Sequence, residues 1–370
     1  MGSRHDASMS KTLSYRDFDW VLFAIAMAIA AIGIAQIYGT TAHTIFASQY
    51  RKQIYWVALG CILALAVSRV DYHVILEHVP WIYVLSILAL GAVLLAGHSS
   101  GGARRWLRLG PASFQVSEFV KLVIMGVAAF YLGNRRDKYV TWKDLIKLGA
   151  LAGAPTALVL IEPDLGTALT LFPIVAATLF LGGIRVRHVV ALLLLAALAV
   201  PLGWRSLKPY QRERVATFVH PSQDAQGSGY QGSQARIAIG SGGFWGKGIG
   251  NGTQSRLGFI PVSKADFIFA SFAEEQGFVG TLLVFLLYLA LLLRLLDGAQ
   301  TAGDRAGAFL IVGFASVLFF QAAVNIGMMI GFLPITGIPL PLMSQGGSST
   351  IATFLGLGLT MSVRMRRFVN

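Results

Sequence analysis

Carboxylates and cations able to move a proton or hold an anion crowd the stretch from Trp204 to Gly277. It carries Arg212, Arg214, Arg236, Lys247, Lys264, Asp266, Glu274 and Glu275, with membrane-grade apolar sequence on both sides. Asp266 lies in Lys264-Ala-Asp-Phe-Ile-Phe269. A carboxylate held beside a lysine at a membrane surface suits general-base work. An aspartate just ahead of an apolar helix equally suits an N-cap, with the aromatics at the interface. The same stretch holds Gly240-Ser-Gly-Gly-Phe-Trp-Gly-Lys-Gly-Ile-Gly-Asn-Gly252. That cluster fails the phosphate-loop pattern, because glycine follows Lys247 and no glycine stands five positions before Gly246. Tight turns explain it better. Asn251-Gly-Thr253 matches a glycosylation sequon that chance explains equally well.

Three other places carry candidate chemistry. Glu118 and Lys121 are three apart in an apolar run and so share a helix face. Charges inside a span are functional by default, although an ion pair that merely orients helices has the same spacing. Glu162-Pro-Asp164 sets two carboxylates at a helix break, as metal or hydroxyl ligands or, for Asp164, as a cap for the next helix. Trp106, beside Arg104 and Arg105, suits an interfacial belt or a sugar-stacking platform. Pro334, Pro339 and Pro341, followed by Ser344-Gln-Gly-Gly-Ser-Ser-Thr350, mark non-helical backbone at membrane depth, which is tolerated where it lines a cavity or is buried in protein.

The elements that must position these groups are membrane spans. The chain is 55% hydrophobic and 13% charged, which overrides the two or three soluble domains that 370 residues would suggest. The net charge of +13 suits anionic headgroups or a phosphate-bearing substrate; the basic residues are scattered between apolar runs and form no nucleic-acid face. Cys61 is the only cysteine, and the histidines form no HxxxH or HExxH pair, so neither a disulfide framework nor a thiolate metal site is expected. The N-terminal segment leads into a run long enough to span, with no small-residue cleavage site, so it is expected to remain as a tail; Asp6 stands where myristoylation needs Ser or Thr.

Ten apolar runs are legible: Trp20–Tyr38, Ile54–Val70, Pro80–Gly97, Phe114–Gly133, Leu145–Ile161, Leu165–Leu181, Val189–Trp204, Phe278–Leu296, Ala306–Ile330 and Ser344–Val363. The fifth and sixth are separated only by Glu162-Pro-Asp164, and together are too long for one tilted span. The expected fold is an all-α polytopic membrane protein of about ten transmembrane helices. A cytoplasmic tail (1–19) precedes spans 1–7 (20–203). A large ordered extracytoplasmic loop (204–277) follows, then spans 8–10 (278–363) and a cytoplasmic tail (364–370). Lys and Arg in the short loops set the orientation, sixteen on the N-terminal side against five opposite. Both termini are therefore expected inside and the long loop outside. Four stretches then meet at the outer surface: 99–111, 162–166, the long loop and 331–349. A site built there excludes a cytosolic nucleotide as energy source.

In order along the chain, Gly102-Ala-Arg-Arg-Trp-Leu107, Ser117-Glu-Phe-Val-Lys121, Glu162-Pro-Asp-Leu-Gly-Thr167, Thr253-Gln-Ser-Arg-Leu-Gly-Phe-Ile-Pro261, Ala265-Asp-Phe-Ile-Phe-Ala270 with Glu274-Glu275, and Gly331-Phe-Leu-Pro334 through Ser349 resemble the SEDS family (shape, elongation, division and sporulation) of bacterial cell-wall polymerases, most closely its RodA-type elongation branch. Two positions depart from the family pattern: Lys264-Ala265 replaces the usual His-Thr before the loop aspartate, and Gln345 replaces the usual Tyr after Ser344. The resemblance implies a peptidoglycan glycosyltransferase of the bacterial cytoplasmic membrane. It would polymerise lipid II into a lipid-linked glycan with inversion and release undecaprenyl diphosphate. It also implies a class B penicillin-binding protein (a transpeptidase) and other elongation-complex membrane proteins as partners, with no nucleic acid. Asp266 matches the family's essential aspartate, while Trp106, Glu118 and Lys121 match residues around the site. A divalent cation, Mg or Mn, is an accompanying expectation, with Asp266 or Asp164 as ligand.

Transfer from a lipid diphosphate needs a base for the acceptor hydroxyl and positive charge for the departing diphosphate. Asp266 can supply the first. Lys121, Arg104, Arg105, Arg212, Arg214, Arg236, Lys247 and Lys264 are candidates for the second, with Glu162, Asp164, Glu274 and Glu275 in support. The rival function is a lipid II flippase. A transporter would gather its polar groups near mid-bilayer in broken helices, whereas this chain gathers them at one surface.

Overall fold

The structure is a computed structural model that describes residues 18–41, 48–100, 103–109, 112–135, 137–206, 212, 216–218, 227–260 and 263–367. Arg214 lies outside the described residues, as does the side chain of Arg104. The fold is that of an all-α polytopic membrane protein. Seven helices come first: α1 (Trp20–Thr41), α2 (Gln49–Arg69), α3 (Tyr72–Ala96), α4 (Val116–Gly133), α5 (Trp142–Ile161), α6 (Leu165–Leu181) and α7 (Val186–Ser206). The long loop contains α8 (Ser228–Ser241) and α9 (Thr253–Arg256), ahead of α10 (Ile268–Gln300), α11 (Arg305–Ile330) and α12 (Gly347–Met365). Among the described residues, α1, α3, α4, α5, α10 and α11 are long and apolar enough to cross a bilayer.

Local chemistry explains several helix starts. Thr141 and Asp144 form a reciprocal capping box on α5. Asp71 caps α3 by accepting from the His73 amide at 2.9 Å. Asp304 caps α11 through the Gly307 amide at 2.8 Å. The split of α5 from α6 at Glu162-Pro163-Asp164 holds. The third run, expected to begin at Pro80, is helical from Tyr72, with the proline inside; membrane helices accept this because neighbouring groups re-satisfy the freed carbonyl.

Two features depart from the expected layout. Between α3 and α4 stands a small antiparallel sheet, β1 (His98–Ser100), β2 (Ala103–Leu109) and β3 (Ala112–Phe114), where only a loop was expected. The boundary at Phe278 is also not a helix start. α10 begins at Ile268, inside the long loop, and continues through a break at Gly277 (φ 65°, ψ −161°). Its 33 residues run to about 50 Å at 1.5 Å each, against a hydrocarbon core of about 30 Å. Gly277 divides the site-bearing turns from the spanning part.

The bundle closes where small residues admit large ones. A Cβ on Gly60 of α2 would fall 2.7 Å from the Phe354 ring of α12, and one on Gly358 would fall 2.6 Å from the Ala64 carbonyl oxygen. At the end away from the long loop, ion pairs tie the termini of α1, α10 and α12: Asp19 meets Arg364 at 2.8 Å and Arg294 at 3.1 Å.

Candidate active site

Asp266 sits in a run of turns, 263–267, just ahead of α10. The N-cap position is Phe267, whose side chain makes no capping bond, so Asp266 is not the helix cap. Phe267, Ile268 and Phe269 are buried, which anchors the turn against the core. A Cβ on Gly337 would lie 3.5 Å from Asp266 Oδ2, so the carboxylate faces the 335–338 loop. Gly166 abuts that loop from the other side, with its Cβ position 2.9 Å from the Thr336 carbonyl oxygen. The Glu-Pro-Asp turn, the proline-rich loop and Asp266 therefore meet.

Asp164 caps α6. Its Oδ1 accepts from the Thr167 amide at 3.2 Å, and its Oδ2 accepts from Thr167 Oγ1 at 2.9 Å and Gln115 Nε2 at 2.8 Å. With Arg105 3.7 Å away as well, this carboxylate is committed to structure, which departs from its expected place as a metal ligand. Arg105 is committed too. It donates to the carbonyls of Glu162 and Pro163 and so fastens β2 onto the turn. Gln115, which joins the hairpin to this turn, was not singled out from the sequence; a glutamine before a helix carries no distinctive spacing.

Glu162 is 1% exposed and neither of its carboxyl oxygens has a hydrogen-bond partner among the described residues. Burial, reinforced by Asp164 and opposed by Arg105, pushes its carboxyl up to about 8. A pKa raised on folding means that stability is fully present below the unfolded value and is lost as pH rises toward and through 8. Glu162→Gln should therefore raise the thermal midpoint by several degrees at about pH 9 and change it little at about pH 4.5. Thermal scans of the purified protein at both pH values check this, and an equal shift at both would disprove it.

Glu118 and Lys121, in the first turns of α4, are bonded at 2.7 Å and are 4% and 5% exposed. Together with Phe314, Gln321, Ala352 and Thr353 they line a small cavity between α4, α11 and α12. The pair is thus buried, bonded to itself and open to a small, mostly apolar cavity.

The glycine cluster forms tight turns packed on α10. Gly246 (φ 80°) would bring a Cβ within 2.2 Å of the Glu275 carbonyl oxygen. Lys247 gives its Nζ to Ser241 Oγ, Thr253 Oγ1 and Glu274 Oε1, each at 2.8 Å. All three ammonium donors are occupied, so Lys247 pins the loop and leaves the set of candidate diphosphate cations. The fully buried Glu274 also accepts from the amides of Gln254 (2.9 Å) and Ser255 (3.2 Å), holding α9 in place. Glu275 packs against Gly39 of α1 and Gly252. Both glutamates support the site from behind.

Of the remaining candidates, Lys264 is half-buried beside Asp266 in sequence, and burial lowers its ammonium below the usual lysine value. Arg236, on α8, is exposed and lies over Gly331, where it lines a groove with Thr217, Phe218 and Pro334. Arg212 is exposed, and Trp106 is half-buried in β2, paired in register with His98. Among the described residues no group of three or more His, Cys, Asp and Glu could hold a metal ion by itself.

A family model described as "Cell cycle protein" (FTSW_RODA_SPOVE) matches residues 16–368. The chain is 38% identical over 317 residues to the peptidoglycan glycosyltransferase MrdB of Escherichia coli (strain K12), covering 85% of each chain. It is 32% identical over 426 residues to the peptidoglycan glycosyltransferase RodA of Treponema pallidum (strain Nichols), covering 95% of this chain and 98% of that one. Among solved structures, a chain of a peptidoglycan synthase complex that coordinates polymerization and crosslinking superposes with a TM-score of 0.84 at 33% identity, over 95% of this chain and 99% of that one. The Rod shape determining protein RodA of Thermus thermophilus superposes with a TM-score of 0.72 at 30% identity, over 95% and 98%.

Proposed function

This chain belongs to the FTSW_RODA_SPOVE family of cell cycle proteins, and we propose that it is a peptidoglycan glycosyltransferase that polymerises lipid II on the outer face of the bacterial inner membrane. The observation that carries this reading is Asp266. It is a carboxylate outside the helix ladder, held between a buried aromatic anchor and the 335–338 loop, at the end of the bundle where four loop stretches meet.

In the reaction, the Asp266 carboxylate takes the proton of the acceptor hydroxyl. That oxygen bonds to the anomeric carbon of the donor while the carbon–oxygen bond to the diphosphate breaks, which inverts the centre. The diphosphate leaves on its undecaprenyl lipid. Lys264, Arg212 and Arg236 are among the cations proposed to oppose its charge. Mg binds through one or two carboxylates plus substrate phosphates. Asp266 fits such a site only together with the diphosphate oxygens, since no protein cluster suffices alone among the described residues. Bound there, a Mg or Mn ion would supply charge to the leaving group. The structural relative from a synthase complex supports a class B penicillin-binding protein as partner.

The deciding experiment is polymerisation of labelled lipid II by the purified protein, with and without its transpeptidase partner, alongside cysteine labelling at Gly227 and Asp137 in cells. Glycan strands should form, Gly227→Cys should label from outside, and Asp137→Cys should label only after permeabilisation. Lipid II crossing vesicles with no glycan formed would replace this reading with a flippase. A cytoplasmic Gly227 would overturn the orientation.

A further inference from the structure

Three consecutive carbonyls around the candidate base are each held from a distant part of the chain. The Lys264 carbonyl accepts from the Gln345 amide at 3.0 Å. The Ala265 carbonyl accepts from Ser344 Oγ at 2.7 Å, and the Asp266 carbonyl from Asn325 Nδ2 at 2.9 Å. The two side-chain donors are each doubly tied. Asn325 sends its other Nδ2 proton to the Ile338 carbonyl at 2.8 Å, and Ser344 Oγ accepts from the Leu340 amide at 2.8 Å. Gln53 of α2 supports the same loop, with Nε2 3.0 Å from Thr350 Oγ1 and Oε1 3.3 Å from the Gly346 amide.

We propose that Asn325 and Ser344 are positioning residues that clamp the main chain of Asp266 to the 335–345 loop and so set where its carboxylate stands. The proposal rests on Asp266 being the base. Asn325 is fully buried in α11, and a primary amide is suited to this place because its nitrogen carries two donors in a fixed plane. Those donors reach carbonyls on two separate segments, Asp266 and Ile338. Between the two bonded points, Gly337 lies against the carboxylate. The base is thus located twice, through its main chain and through the loop its side chain faces. Leucine fills similar space and removes both of these donors. Ser344→Ala removes a donor and an acceptor, while Ser344→Thr keeps both. The third bond comes from the main chain of Gln345, so the side chain at that position, where the family usually has Tyr, takes no part in it.

A misplacement of about 1 Å in a reacting group can cost about 100-fold in rate. The full-length protein should therefore be assayed with labelled lipid II at graded concentrations, and kcat and KM read separately. Asn325→Leu should lower kcat by about 10- to 100-fold with KM within about twofold of wild type. Ser344→Ala should lower kcat less, and Ser344→Thr should restore it. A role confined to stability would reduce the thermal midpoint while leaving kcat per folded molecule intact, and that result overturns the proposal. So does a loss carried by KM, or a Thr variant as poor as Ala. If Asn325→Leu does not fold, the Ser344 pair decides. Asp266→Asn measured alongside separates the two readings. If that variant runs at the wild-type rate, the base assignment fails and takes the clamp with it. If it is inactive while the clamp variants keep wild-type kcat, only the clamp fails.

Discussion

Asp266→Asn should abolish glycan polymerisation while the protein still inserts, keeps its thermal midpoint and binds its partner. The amide preserves size and shape but has no basic oxygen to receive the acceptor proton. Loss of a general base typically costs about 10²- to 10⁴-fold in rate. The structure removes the main structural excuse for such a loss, because Phe267 and not Asp266 occupies the cap position of α10. The bonds from Asn325 and Ser344 go to main-chain carbonyls and survive the substitution. Initial rates with labelled lipid II measure the effect. A divalent-cation titration separates two ways of losing activity: raising Mg should not restore a missing base, whereas it should partly restore a weakened ligand. A near wild-type rate would sink the catalytic assignment.

Lys121→Ala should also lose most of its activity, for a different reason. It leaves Glu118 buried beside a cavity without the ammonium it pairs with. Breaking a buried pair by removing one member typically costs about 3–5 kcal/mol, so some loss of thermal stability is expected as well. The charge-swapped protein, Glu118→Lys with Lys121→Glu, separates the contributions. It rebuilds the ion pair on the same helix face and should recover most of the thermal midpoint. A lysine in the first turn of α4 opposes the helix dipole by about 0.3–1 kcal/mol, too little to undo that recovery. If the cavity presents the Lys121 charge to substrate, polymerisation stays low in the swap. Near-normal polymerisation in the swap would mean that the pair only orients α4 against α11 and α12.

Other residues singled out for chemistry turned out to be fasteners. Lys247 and Arg105 were candidate cations on charge and neighbourhood; the Lys247 donors are filled by Glu274, Ser241 and Thr253, and Arg105 bonds the carbonyls of Glu162 and Pro163 beside Asp164. Asp164 was open between cap and ligand, and the Thr167 amide decides for the cap. Charge alone does not distinguish a site cation from a structural one; the count of acceptors around it does.

What the sequence determined by itself was whatever depends on neighbours within a few residues. Apolar runs of span length declared the membrane helices, because a chain in lipid must satisfy its own backbone bonds locally. Glu162-Pro-Asp164 announced the break between α5 and α6, and the glycine cluster announced tight turns. The ordered motifs from Gly102 to Ser349 pointed to the family. Only the tertiary structure decided which polar groups face one another. The hairpin β1–β3 follows from contacts with α3, α4 and the Glu162 turn that leave no periodic signal in so short a segment. Asn325 is one polar residue in an apolar span, and its spacing from Asp266 carries no pattern. Its role exists only because α11 brings its amide to the Asp266 and Ile338 carbonyls at once. Sequence separation erases such a pairing from any local reading, and folding restores it.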